Sequence, residues 1–469
     1  MPPPSRGRDR RLARLPERAR KAIAGSGPPT EPFSLRAKPS QVDPATARAA
    51  LGLALRMGES MMAVGGSAAD VTAMVLRVAA AYGLDDCQVD VTFTSLTISY
   101  APDDADPLVL MRIVTPRGLD YTRLQGITAL AATIKDEELG PEEAHRRLDE
   151  VLSAPHPYRR GIHALGWSGV AGCVAILLGG GWLVAVVAAV TTAVIEQTIR
   201  ALARRGLPMF FQQVVGAAVA TGSAVLLMVA EVQVRTSLVV AAGIVVLLAG
   251  LSFVGAAEDA INGYPVTAAA RAFEVLTLTT GIVVGIAAVL DMARRAEVPL
   301  RVLDPATFRV AFPVALAAAA AMAGFWAIAS YARPIAVGVA TAAGALAWVT
   351  SSAVAEFGVG PAVASAAAAV LVGFCGEALT DRLRVPPLLV AICGIVPLLP
   401  GLLIYRGLFE IVVEADVGRG VSRLVGAAAI GLGLAAGVVL GRYFGRPLRG
   451  SLDRFDRRVR RRWTTRSVS

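Results

Sequence analysis

Asp259 and Glu410 are the two acids whose placement suggests chemistry. Each lies nine residues beyond a glycine, Gly250 or Gly401. Each is followed by an arginine, Arg271 or Arg423, at spacings that differ by one residue. Asn262 stands near the first acid, Tyr405 and Arg406 near the second. Both acids border long apolar runs, where a charge is costly and is seldom kept without a use. They could line the two mouths of a pathway, and proton coupling through them is a hypothesis. Glu196, Glu377 and Asp381 are secondary candidates. Glu196 has Arg200 four residues on, the spacing of an ordinary helical ion pair. Arg382 and Arg384 follow Glu377 and Asp381. For these three an interfacial charge is the stronger reading. His145, His156 and His163 fall before or at the first apolar run, where a satisfied surface role outweighs a relay. Cys87, Cys173, Cys375 and Cys393 show no metal-ligand spacing and read as small hydrophobes. There is no glycine-rich phosphate loop and no nucleophile constellation, so neither an enzyme, a metal nor a cofactor is indicated.

The elements that must hold these residues are apolar. The chain is 55% hydrophobic and only 17% charged, against about 25% charged in soluble proteins. Runs of about 20 apolar residues, enough to cross a hydrocarbon core, fill residues 161–445. Ten spans are expected near 162–179, 182–199, 209–229, 238–256, 273–291, 310–330, 335–352, 361–379, 387–408 and 424–444. Trp167, Trp182, Trp326 and Trp348 suit interfacial anchors, or else face neighbouring helices. The net charge of +10 sits mostly in the tails that flank the spans, so it points to the positive-inside rule and not to nucleic acid. Arg159, Arg160, Arg200, Arg204, Arg205, Arg382 and Arg384 then share one side, cytoplasmic, with both tails. The loop carrying Arg294, Arg295, Arg301 and Arg309 disagrees. Met1–Arg8 has no apolar core of a signal peptide, so the first span is expected to direct insertion.

Ahead of the spans, residues 1–44 read as a disordered basic tail and 45–155 as a soluble α+β domain. Helical spacing predicts Pro44–Val64, then Ala68–Tyr82 after a Gly65-Gly66-Ser67 break in which Ser67 caps. Alternation predicts strands over Gln88–Thr94, Leu96–Tyr100 and Leu108–Thr115. Helices near Tyr121–Glu138 and Pro141–Leu152 follow. Residues 447–469 form a basic C-terminal tail.

The spans contain a copy of themselves. Leu389–Leu402, which carries Pro397, Pro400 and Gly401, matches Leu238–Leu251 at nine of fourteen positions, 151 residues apart. Gly281 and Gly285 likewise correspond to Gly433 and Gly437 after each arginine. The fold class expected is a polytopic α-helical membrane protein of two inverted five-helix repeats, 161–297 and 305–446. A matched pair of interrupted spans marks the binding region of a transporter. Pro397 and Pro400 each remove a backbone donor, so the ninth span should break or kink. The first copy has Val246 and Ala249 at those places, so a weaker break is expected in the fourth.

The chain resembles the threonine/serine exporter family of bacterial inner-membrane proteins. The resemblance rests on Leu53-Ala-Leu-Arg-Met-Gly-Glu59, Asp85–Thr94, Gly118–Leu124, Leu207-Pro-Met-Phe-Phe-Gln212, the Gly250–Arg271 stretch and Pro397-Leu-Leu-Pro-Gly401. It covers roughly residues 45–445. It implies a ten-helix exporter of small hydroxy amino acids, driven by the proton motive force, with a cytoplasmic N-terminal domain. On this resemblance the chain looks like the fused form, with both five-helix halves in one polypeptide. Ala249, where a proline is expected, and Gly255, where an asparagine is common, depart from the family pattern and bear on substrate identity. The partners implied are an amino acid, protons and the lipid bilayer, with the oligomeric state left open. A passive channel for small metabolites and a membrane-anchored sensor remain the alternatives.

Overall fold

The computed structural model describes residues 42–101, 106–115, 118–232, 236–248, 250–298, 310–383 and 385–464, without the side chains of 236–237, 380–381, 383 and 448–464. The expected tail before residue 42, and Ala249, Arg301, Arg309 and Arg384, lie outside the described residues.

Helix α1 (Pro44–Ala63) starts with proline in its first turn and the Asp43 carboxylate accepting from the Thr46 amide at 3.2 Å. It ends in a turn where Gly65 takes a φ of +96°, open to glycine without strain. Helix α2 (Ala68–Ala81) follows, capped by Ser67, whose hydroxyl accepts from the Asp70 amide at 3.2 Å. An antiparallel sheet comes next, β1 (Cys87–Val91), β2 (Ser95–Tyr100) and β3 (Leu108–Ile113), in that order. Leu96, Ile98 and Tyr100 on β2 are buried, and β2 passes close beneath α1 at Gly58. The first strand is shorter than its alternation predicts. Thr92 and Ser95 close the hairpin, amide to carbonyl at 2.9 Å and hydroxyl to hydroxyl at 2.8 Å. Phe93 and Thr94 therefore form the hairpin tip. Helices α3 (Tyr121–Glu137) and α4 (Pro141–Ser153) complete this N-terminal unit.

The remaining elements are apolar helices. In order they are α5 (Arg160–Leu177), α6 (Trp182–Arg204), α7 (Met209–Val229), α8 (Thr236–Val245), α9 (Gly250–Ile261), α10 (Pro265–Arg295), α11 (Phe312–Ala329), α12 (Pro334–Ala355), α13 (Pro361–Leu383), α14 (Pro387–Ile395), α15 (Gly401–Val412) and α16 (Val417–Thr464). Among the described residues, eight helices are each long and apolar enough to cross a membrane. Two bent pairs, α8 with α9 and α14 with α15, bring the crossings to ten if each pair is one span.

The two breaks differ from expectation. The pair holding Pro397 and Pro400 bends by 46°, while the proline-free pair bends by 50°. Pro397 lies in a single 3-10 turn (Val396–Leu398), and Pro400 stands as the cap of α15. In the first pair the chain tightens without proline, the Leu247 amide donating to Ile244 at 2.9 Å and the Leu248 amide to Val245 at 3.2 Å. The breaks lie against each other. A Cβ on Gly250 would meet the Gly401 backbone at 3.4 Å, and one on Gly401 would meet the Leu248 side chain at 3.2 Å. Each break thus supplies packing for the other, which proline alone does not explain.

The matched glycines do matched work. Gly281 and Gly285 of α10 lie against the carbonyls of Phe210 and Val214 on α7. Gly433 and Gly437 of α16 lie against those of Ala362 and Ala366 on α13, where a Cβ would come to 2.7 and 2.5 Å. Small residues let helix backbones approach this closely in a membrane. Gly437→Ala should therefore lower the melting temperature of the purified full chain in detergent, by roughly 1–3 kcal/mol of overpacking. Gly426→Ala on the same helix faces open space and should leave it unchanged. Equal melting of both variants would contradict the close approach.

Candidate functional site

The N-terminal unit is fastened to the helices by a row of polar contacts. The Asp259 carboxylate accepts from the Ala68 amide at 2.9 Å, so a residue of α9 caps the first turn of α2, where negative charge is favoured. The Tyr264 hydroxyl donates to Thr72 at 2.9 Å, the Thr267 hydroxyl to the Val91 carbonyl at 3.0 Å, and Arg271 Nη2 to the Gly66 carbonyl at 3.1 Å. On the other side the Tyr121 amide donates to the Ser330 carbonyl at 2.9 Å, and the Thr122 hydroxyl to Tyr331. The longest reach is by Arg442 of α16, which forks onto Asp70 of α2 at 2.7 and 3.1 Å. Glu258 and Glu377 also face Arg442, each at 3.6 Å.

A cavity of about 320 Å³ lies along this seam. The N-terminal unit supplies Met62, Gly65, Ser67, Phe93 and Leu119. The first break supplies Val246, Leu248, Leu251, Ser252, Gly255 and Glu258, and α10 supplies Arg271 and Glu274. Leu388, Ala391, Ile392 and Ile395 of α14 form an apolar wall, with Trp167 and Trp326 at its side. Both broken spans therefore border one space. Arg271 is the positive group among the lining residues. Its Nε is 3.3 Å from Asp259, and its guanidinium carbon is 6.0 Å from the centre of the Phe93 ring. The hairpin tip, which the sequence reads as strand, is what brings Phe93 there.

The residues singled out from sequence fall into three places. Gly250, Pro397, Pro400 and Gly401 form the two breaks. Asp259 stands behind the cavity as the buried partner of Arg271, and Glu410 is the corresponding partner of Arg423 at 2.7 Å. The acid–arginine spacing noted in each half is thus an ion pair in each half. Asn262 lies on the loop after α9 and does not line the cavity. Glu196 meets Arg200 at 2.6 Å, as its spacing predicts, and also His163 at 3.4 Å. Glu377 is not an interfacial charge beside Arg382: it is buried and faces Arg442. The side chain of Asp381 lies outside the described residues. His156 and His163 stack on Tyr331, with centroids 4.1 and 4.8 Å apart, so His163 is packed at the seam and not a surface residue. Trp167 and Trp326 pack edge to face at 5.0 Å instead of anchoring at an interface, while Trp182 is exposed.

Sequence reasoning missed Glu258, Glu274, Asp70 and Arg442. The signal for Arg442 was present: it is an arginine within an apolar run, which marks an unusual site. Glu258 was overshadowed by its neighbour Asp259, which carries the match between halves. Asp70 had no signal, because its partner is 372 residues away.

Fold and site together define a multi-pass membrane protein with a cavity bordered by two bent helix pairs. The family described as "Putative threonine/serine exporter" matches residues 52–293, and the one described as "Threonine/Serine exporter, ThrE" matches residues 314–444. A probable threonine/serine exporter of Mycobacterium tuberculosis (strain ATCC 25618 / H37Rv) is 40% identical over 416 residues, 87% of this chain and 78% of the relative. A threonine/serine exporter of Corynebacterium glutamicum is 36% identical over 437 residues, 91% of this chain and 88% of the relative. No solved structure gives a significant match. The chain belongs to the threonine/serine exporter family.

The Asp70–Arg442 pair gives the docking a pH signature. Burial works to raise the Asp70 carboxyl, but the Arg442 charge and hydrogen bonds, aided by Ser67, outweigh it and hold the group below its usual range. A carboxyl depressed in the folded state adds stability above its unfolded value of about 3.9, lost as pH falls through the folded value. Asp70→Asn should therefore lower the melting temperature of the full chain at pH 7, by roughly 3 kcal/mol for breaking a largely buried pair. The gap to the parent protein should narrow below about pH 4. Identical melting at pH 7 would mean that the pair contributes no docking energy.

Proposed function

We propose that this chain is a secondary transporter that exports threonine, serine or a closely related hydroxy amino acid across a bacterial inner membrane. It works as an antiporter driven by the proton motive force. In this reading 161–297 and 305–446 are two five-span halves. An odd number of spans per half sets the second in the membrane upside down relative to the first. The unit at 45–155 is cytoplasmic, and both termini lie on that side. Gly250, Pro397, Pro400 and Gly401 keep the two break points, and Asp259, Asn262 and Glu410 flank the two ends of the path.

One observation carries this reading. Two spans from different halves are interrupted at matching places, lie against each other at Gly250 and Gly401, and share a cavity. A channel has no need of two matched interruptions packed on each other, and a receptor anchor needs neither so many apolar helices nor a repeat. The names of the two relatives supply the substrate class.

Cells loaded with threonine or serine should lose the label several-fold faster when they express this chain, and a protonophore should abolish the difference. In proteoliposomes the chain should drive threonine above its equilibrium level when a pH gradient is imposed. Equalisation without accumulation would make it a passive pore. Efflux no faster than in cells without the chain would end the exporter reading.

A further inference from the structure

We propose that the seam cavity is the recognition site for the charged ends of an α-amino acid, and that the N-terminal unit builds part of it. The inference rests on the exporter reading and names the site and the groups that read the substrate. A free amino acid at neutral pH presents a carboxylate and an ammonium on one carbon. A site that reads both must hold a cationic donor and an acceptor close together, each with capacity left over.

Arg271 is the donor. Its Nε faces Asp259 and its Nη2 is taken by the Gly66 carbonyl, so two sides of the guanidinium are fixed. Its Nη1 carries no hydrogen bond among the described residues. That nitrogen lies alongside Gly255, where a Cβ would come within 2.8 Å of it. Glycine at this position leaves the nitrogen open to the cavity. A guanidinium held on two sides is oriented before a ligand arrives, which lowers the cost of binding a carboxylate.

Glu258 and Glu274 are the acceptors. Glu258 is nearly buried, and the nearest cation, Arg442, stands 3.6 Å away, beyond hydrogen-bond length, while it forks onto Asp70. Glu274 has no ion pair among the described residues, and both acids line the same cavity as Arg271. Partly buried carboxylates with acceptor capacity left over favour a cationic partner, and the ligand's ammonium supplies one. Ser252 also lines the cavity with a hydroxyl that makes no hydrogen bond among the described residues, suited to a hydroxyl on the ligand. The apolar wall of α14 takes the carbon side of the ligand. About 320 Å³ lies at the small end of the range of about 300–1,000 Å³ for ligand sites, so a small amino acid fits and an oligopeptide does not.

The N-terminal unit closes the site. Gly66 orients Arg271, and Phe93 lies over its guanidinium. Displacing that unit would remove both the orientation and a wall.

The test measures binding of labelled threonine to the purified full chain in nanodiscs. With the parent protein, threoninol, which lacks the carboxylate, and N-acetylthreonine, which lacks the ammonium, should compete at least 10-fold less well than threonine. Glu274→Gln and Ser252→Leu should each weaken binding at least 10-fold with an unchanged melting temperature, and Phe93→Ala should raise the KM of export several-fold. Full competition by both analogues would overturn the proposal without any variant. So would binding by Glu274→Gln and Ser252→Leu equal to the parent. If the parent exports threonine normally under either result, the site assignment alone is wrong. If the parent exports neither threonine nor serine, the exporter reading fails first.

Discussion

A helix that breaks at membrane depth exposes backbone groups that lipid cannot satisfy. This protein has two bent helix pairs and stacks their breaks on each other. Gly250 lies on Gly401, and Leu248 packs on Gly401 beside it. Everything else near the site follows from that contact. It sets the crossing of the broken spans and leaves a space between them that no continuous helix fills. It also places the first turns of α9 and α15 side by side, so their polar ends at Asp259 and Glu410 run out to their arginines.

The second constraint is electrostatic. Five acids, Asp70, Glu258, Asp259, Glu274 and Glu377, gather around two arginines, Arg271 and Arg442, at the seam. Such an arrangement is expensive unless the groups neutralise one another. The chain meets the cost by sharing: Asp259 serves both Arg271 and the α2 amide, and Arg442 serves three carboxylates from three elements. The N-terminal unit is therefore held in part through Arg271, which also borders the cavity.

Much of this was legible in the sequence, for reasons that differ by feature. Apolar run length marked the eight long helices and the two bent pairs, because hydrocarbon thickness leaves little choice. The repeat exposed the two breaks and the acid–arginine pairs, because both halves keep an acid nine residues past a glycine and an arginine twelve or thirteen residues further on. The depth of the first break was not legible, since it comes from a tightened turn and from the partner Gly401, neither of which Val246 signals. The hairpin tip was read as strand because Phe93 continues the alternation, while the Thr92–Ser95 contacts that end the strand are local and polar. The cavity acids escaped because their meaning depends on contacts hundreds of residues apart. No periodicity brings Asp70 to Arg442.

The glycine seams of α10 on α7 and α16 on α13 have a mechanical consequence. Two helices in backbone contact along several turns resist sliding, since every step would drive a carbonyl into the facing chain. Each such couple is a stiff strut, and the molecule contains one in each half. Whatever rearrangement carries a solute past the midplane must therefore be taken up elsewhere. What lies between the struts is short: the arms on either side of the two breaks, which meet at Gly250 and Gly401.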